Sequence, residues 1–111
     1  VKEKKYFSRI RIEDLVQIIK KTLNGKKRSM ILNVADDRPA TNVEVAKYAA
    51  KLLELKKIKA VPISKFKNKM IKNFYRDSKK VNNKLMKKEL NVKLKYANYK
   101  LGLNNLLNKS I

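Results

Sequence analysis

Arg9 and Arg11 are the side chains whose types and spacing most readily do chemistry. Two residues apart on an extended segment, their guanidiniums share one face and would present forked donors to a phosphate or carboxylate. The same spacing also describes two solvated charges on an exposed strand face. Phe7 and Ser8 lie beside them and could line the same pocket. Tyr75 offers a ring for ligand stacking, or a buried body with its hydroxyl at a polar rim. Asp36 and Asp37 could form a paired-carboxylate acid/base site, but adjacent acids ahead of Pro39 read as turn formers. Asp14 could orient a ligand; beside Glu13 it reads as helix-start electrostatics.

Other chemistry is excluded by what the chain lacks. With no His and no Cys, no Ser-His or Cys-His nucleophile can be built, thiolate sites are absent, and zinc or copper is disfavoured. Lack of Cys leaves the redox compartment open. The net charge of +21 raises nucleic-acid or anionic-membrane binding. However, 25 of the 30 basic residues are Lys, scattered along the chain. Arg, the residue suited to bidentate phosphate or guanine contacts, is scarce. That pattern favours a solvated surface written by an A·T-rich genome, and makes a nucleic-acid partner the lesser reading. No run of about 18 apolar residues is present, so no membrane-spanning helix is expected. No signal-peptide h-region follows the charged first residues, and the default compartment is cytoplasmic.

These side chains must be carried by short elements. Tyr6 to Ile12 alternates like a strand, with Ile10 and Ile12 on one side and Arg9 and Arg11 on the other. Positions 15, 18, 19, 22 and 23 then form a helical stripe, with Gly25 as a left-handed C-cap. Met30 to Ala35 reads as a buried strand entering the turn at Asp36 to Pro39. Thr41 and Glu44 make a capping box for a helix using Val45, Ala46, Ala49, Leu52 and Leu53 and fading near Lys56 and Lys57. Residues 59–63 are extended by the pre-proline rule and end near Ser64, a candidate cap. Phe66, Met70 and Phe74 step by four, a short helix. Asp77 or Ser78 is expected to cap a helix with Val81, Leu85, Met86 and Leu90. A last helix covers Asn98 to about Leu107. Two strands alone leave open edges, which points to a missing partner.

In this order the blocks resemble the C-terminal portion of extended or atypical short-chain dehydrogenases/reductases, the epimerase/dehydratase-like group. Phe7-Ser-Arg-Ile-Arg-Ile-Glu-Asp-Leu15 resembles that family's strand-plus-helix, and Asn33-Val-Ala-Asp-Asp37 its strand ending Asn-Val-x-Asp. Residues 41–55 resemble a helix with an even Ala and Leu face. Met70 to Leu94, read through Asn73-Phe-Tyr-Arg-Asp-Ser-Lys-Lys to Leu90, resembles the late Ser-Lys…Leu-Gly segment, and Tyr96 to Leu103 the terminal helix. Three departures stand out: Arg11 replaces the usual His, Asn91 the Gly after the late Leu, and Ala97 the Pro after Tyr96. Arg11 alters the chemistry near the family's substrate cleft. The family's catalytic Tyr-x-x-x-Lys, in which Lys lowers the Tyr pKa, is matched by Tyr75 with Lys79 and by Tyr96 with Lys100. In so Lys-rich a chain such matches arise by chance, and both lie downstream of the family's active Tyr. They read as decoys.

The resemblance implies an α/β fold: one substrate-binding lobe over residues 1–111, two or three short strands with about four helices, and no Rossmann core. Gly25 and Gly102, the only glycines, cannot supply the nucleotide fingerprint. NAD or NADP would thus belong to a full-length parent, whose N-terminal Rossmann lobe would be this chain's partner. Val1 in place of Met fits such a piece. On this reading the chain is the non-catalytic substrate-side lobe of an NAD(P)-dependent oxidoreductase or nucleotide-sugar epimerase/dehydratase. Phe7, Ser8, Arg9, Arg11 and Tyr75 would face a small-molecule substrate, a nucleotide sugar among the candidates. A Lys-rich nucleic-acid-binding module is the alternative, and a stand-alone interaction domain derived from such a lobe a third.

Overall fold

A computed structural model describes residues 1–25, 30–55 and 59–110. Its elements are β1 (Tyr6–Phe7), α1 (Ile12–Asn24), β2 (Ala40–Thr41), α2 (Asn42–Leu52), a 3₁₀ turn (Ile63–Lys65), α3 (Lys69–Phe74), α4 (Lys84–Leu90) and α5 (Tyr99–Ser110). The fold is therefore α/β, with five α-helices and one two-stranded antiparallel sheet among the described residues. None of these helices is long and apolar enough to cross a membrane.

β1 is far shorter than the alternation of residues 6–12 suggests. Tyr6 pairs with Thr41 and Phe7 with Ala40, and the ladder stops beside Pro39, which has no N–H to give. Beyond it, side chains replace sheet bonding. Ser78 Oγ accepts from the Tyr6 amide at 2.8 Å and Ser8 Oγ from the Val81 amide at 2.7 Å. Arg11 is consequently the N-cap residue of α1 rather than a mid-strand residue, with Glu13 and Asp14 in the first turn. Gly25 closes that helix with extended backbone, φ −95° and ψ −172°, not the left-handed cap expected of it.

Residues 30–35 form no strand among the described residues, although their composition reads as one. Ile31 is 89% exposed, and Met30 and Val34 are also open. An apolar strand needs a neighbouring ladder for its backbone groups, and nothing in the described chain supplies it. Thr41 does cap α2, its Oγ1 accepting from the Glu44 amide at 3.1 Å. Ala46 and Leu53, expected on the buried stripe, are exposed. The fade-out at Lys56 and Lys57 lies outside the described residues.

Later boundaries also move. Ser64 sits inside the 3₁₀ turn that Pro62 precedes. α3 starts after Asn68, whose Oδ1 accepts from the Met70 and Ile71 amides, so Phe66 lies outside it. α4 starts only at Lys84, because Ser78 is occupied with Tyr6; neither Asp77 nor Ser78 caps it. It ends on Asn91 in the left-handed region, φ 50°. Asn tolerates that conformation better than other non-glycine residues, so it serves where the resembled pattern has Gly.

α1 packs on α4 and α2 on α5. The core is thin: Ile18, Met86, Leu90 and Val92, flanked by Ile10, Leu32 and Leu94. Of its two largest fully buried side chains, Met86 and Asp14, one is a carboxylate. The molecule measures 48 × 37 × 19 Å with a radius of gyration of 16.5 Å, whereas a compact domain of 100 residues has about 13 Å. A slab this thin cannot bury both sides of its helices.

Candidate functional site

Two neighbouring arrangements contain the chemistry-bearing side chains. The first is a cleft of about 160 Å³ between the β1–α1 link and α5, bordered by Arg9, Arg11, Asp36, Tyr96 and Tyr99. Arg9 and Arg11 both reach it, but their donors are committed within the protein. Arg11 Nη1 donates to the Gly102 carbonyl at 2.6 Å and Nη2 to Asn105 Oδ1 at 3.0 Å. Its Nη2 also pairs with Glu13 Oε2 at 2.9 Å, and its guanidinium lies 4.6 Å from the Tyr96 ring centre. Arg11 is thus the bolt between the start of α1 and α5. Arg9 is held more loosely, with Nη2 donating to Asn42 Oδ1 at 3.2 Å and Nη1 3.5 Å from the Ala40 carbonyl. The two guanidiniums share a cleft but do not form one open fork.

The second arrangement is aromatic. Phe7 stacks on Phe74 at 4.8 Å, and Tyr75 meets Phe7 edge-on at 5.9 Å while lying parallel to Phe66. Ser8 is spoken for by the backbone of residues 79–81. Asn42, which no sequence pattern singles out, joins the two arrangements. Arg9 can only donate, so Asn42 Oδ1 faces it, and Asn42 Nδ2 must then face Tyr75, donating to the phenolic oxygen at 3.1 Å. That leaves the Tyr75 proton free to point away from Asn42. Phe7, Arg9 and Tyr75 are therefore brought together, with Phe74 half-exposed beside them. The Asn42 contribution and the Phe7–Phe74 stack depend on contacts between residues more than 30 apart, which no local spacing announces.

The adjacent acids separate in character. Asp36 is buried, and its pKa rises from 3.8 to about 6, chiefly because burial penalises the charged form; the Arg38 amide and the Arg9 charge offset this in part. Asp37 also loses hydration, but hydrogen bonds from Asn83 and Lys87 and the Lys87 charge outweigh that and lower its pKa. Its Oδ1 lies 2.8 Å from Asn83 Nδ2 and 2.5 Å from Lys87 Nζ. The pair does help shape a turn, since the Arg38 amide donates to Asp36 Oδ1 at 3.1 Å. Asp14, fully buried, accepts from the Lys95 and Tyr96 amides, both at 2.8 Å. Its job is to hold a loop, beyond any effect on the helix dipole.

Neither Tyr-x-x-x-Lys match is a helical pair. Tyr75 ends α3 and Lys79 is in coil; Tyr96 precedes α5, and Lys100 lies over the Tyr48 ring at 5.3 Å. Neither described glycine has positive φ. Gly25 ends α1, and Gly102 lies within α5 beneath Arg11. Among the described residues, no glycine turn fits a dinucleotide's pyrophosphate.

No protein-family model and no curated protein matches the chain. It is similar to the solved structure of a functionally unknown conserved protein from Silicibacter pomeroyi DSS, at 37% identity and a TM-score of 0.89. The match covers 95% of this chain but 38% of that one, so the chain corresponds to well under half of the larger protein.

Proposed function

We propose that the chain is the substrate-side lobe of an NAD(P)-dependent oxidoreductase or nucleotide-sugar epimerase/dehydratase, inactive by itself and completed by a Rossmann lobe that holds the cofactor. The observation that carries this reading is the bare apolar surface. Ile12, Val16, Ile19 and Leu23, one outward stripe of α1, are all exposed, and so are Met30, Ile31 and Val34 of the unpaired segment. An exposed apolar helix stripe of this kind marks an interaction site. Similarity to part of a larger protein fits the same reading.

In this proposal Phe7 and Tyr75 supply an aromatic wall for the substrate. Arg9, anchored through Asn42, supplies positive charge at its edge, and Ser8 and Arg11 keep the wall rigid. The lobe excludes water and selects which molecule is held; the hydride or proton chemistry belongs to the other lobe.

The test has two steps. Coding sequence for the ~200 residues before Val1, the size of one such lobe, should contain a Gly-rich strand-turn-helix. NADH and NADPH fluorescence titrations should then show micromolar binding by the extended chain and none by residues 1–111. Cofactor binding by the 111-residue chain, or an upstream sequence without that loop, would defeat the reading.

A further inference from the structure

Asp36 is 4% exposed, and among the described residues only one of its carboxylate oxygens accepts a hydrogen bond. Oδ1 accepts from the Arg38 amide; Oδ2 takes no hydrogen bond from any described residue. Asp36 also borders the 160 Å³ cleft. Elsewhere the cleft is mostly hydrocarbon: Ile10, Val45, Leu103 and the rings of Tyr96 and Tyr99. A cavity of about 150 Å³ with an apolar lining is large enough for benzene.

The charges nearby select against ions. From the β1–α1 link, Arg9 and Arg11 repel an ammonium. From the turn, the Asp36 carboxylate repels an anion, and the nearby Asp37 and Asp14 add negative charge, Asp37 being paired with Lys87. Tyr96 and Tyr99 already face the guanidiniums of Arg11 and Arg38.

We propose that this cleft binds a small, uncharged, ring-sized alcohol whose hydroxyl donates to Asp36 Oδ2 while its hydrocarbon body fills the apolar wall. The site is built from residues of this chain alone and does not depend on the substrate-lobe reading. The Arg38 amide dictates how a substitute must sit. In Asp36→Asn the side-chain oxygen has to stay on that amide, which turns the amide nitrogen into the cleft as a donor. An acceptor site becomes a donor site with no change in size.

The experiment titrates the chain with cyclohexanol and with cyclohexanone, of similar shape but unable to donate, following backbone amide NMR shifts at Tyr96, Gly102 and Leu103. At pH 8 the protein should bind the alcohol at least fivefold more tightly than the ketone. Asp36→Asn should abolish or reverse that preference. Lowering the pH below 6 should narrow the preference in the unsubstituted protein, because the acid form can itself donate to a ketone, and should leave the Asn variant unchanged. Leu103→Phe, which fills the apolar wall without touching the carboxyl, should lose both ligands. Equal binding of the two probes at pH 8, shifts located elsewhere, an Asn variant that keeps the preference, or retained binding in Leu103→Phe would each overturn the proposal. Should Asp36→Asn bind neither probe, the pH dependence and Leu103→Phe still decide.

Discussion

The two sides of α1 have the same helical spacing and opposite fates. Asp14, Gln17, Ile18 and Lys21 face inward. Asp14 takes the Lys95 and Tyr96 amides, Gln17 Nε2 and Lys21 Nζ donate to the Lys93 and Asn91 carbonyls, and Ile18 joins the core. Ile12, Val16, Ile19 and Leu23 repeat the pattern on the outer side, where Ile12 is 70% and Leu23 77% exposed. The covered side is thus the more polar of the two. In a self-contained domain the aliphatic face goes inward; here polar groups that grip a loop's backbone have that place. Position on the helix, more than hydrophobicity, decides what is buried in this chain.

The largest effect should follow from cutting the polar side. Asp14→Ala leaves the buried Tyr96 amide and the part-buried Lys95 amide without an acceptor, and hydrogen bonds to charged groups contribute about 1.5–3 kcal/mol each. Urea unfolding should show a loss of about 3–5 kcal/mol, with the amide signals of residues 95 and 96 moving first. A loss under about 1 kcal/mol would mean that the 91–96 loop holds itself. Next comes a matched pair of isoleucines. Ile18→Ala should cost about 3 kcal/mol through the cavity it leaves, whereas Ile12→Ala should stay within about 0.5 kcal/mol. If Ile12 proves as costly as Ile18 in the chain alone, its side is covered after all.

The same contrast explains what the sequence could convey. Helix α1, the Thr41 cap, and a left-handed Asn at 91 follow from local rules: acids at a helix start, a hydroxyl three residues before a Glu, an Asn after a terminal Leu. Residues 30–35 look like a strand because their composition suits one, but strand formation needs a ladder partner, which composition does not supply. The stripe at 15, 18, 19, 22 and 23 follows hydrophobicity alone. It catches Ile18 but misses Asp14, Gln17 and Lys21, which share the inward face with it. Arg9 and Tyr75 meet because Asn42 bridges them, and a bridge between residues 33 apart leaves no periodic trace.

A smaller effect separates Asp36 from Asp37 and depends on pH. The Asp36 pKa is higher in the folded chain, about 6, than the ordinary 3.8, so the native state binds the extra proton. Stability from this group is full below about pH 4 and declines as pH rises through 6, where the buried carboxyl must ionise. Asp36→Asn should therefore be neutral near pH 4 and stabilising at pH 8. The gain should be about 1–2 kcal/mol, since a tenfold change in acidity corresponds to about 1.4 kcal/mol and cleft water screens part of the effect. Asp37 has the opposite sign: its lowered pKa contributes stability above about pH 4 that is lost on acidification, so Asp37→Asn should cost stability at pH 8 and little at pH 3. Thermal melts of both variants across pH 3–8 would show the two profiles crossing. Parallel profiles would mean the two acids share one environment.

The smallest effect tests the bolt that holds α1 to α5. Gly102 lies in the interior of α5, and its carbonyl receives Arg11 Nη1. A Cβ there would meet Arg11 Nη1 at 3.5 Å and Cδ at 3.9 Å, ordinary contact distances. Gly costs a helix interior about 0.8–1 kcal/mol relative to Ala. Because the hydrogen bond uses the backbone carbonyl, Gly102→Ala should keep it and stabilise the chain by up to about 1 kcal/mol. A bulkier Gly102→Val must displace the guanidinium and should destabilise. If Ala also destabilises, the packing of Arg11 between Gly102 and the Tyr96 ring is tighter than these distances allow, and the link between α1 and α5 rests on that packing as well as on its hydrogen bonds.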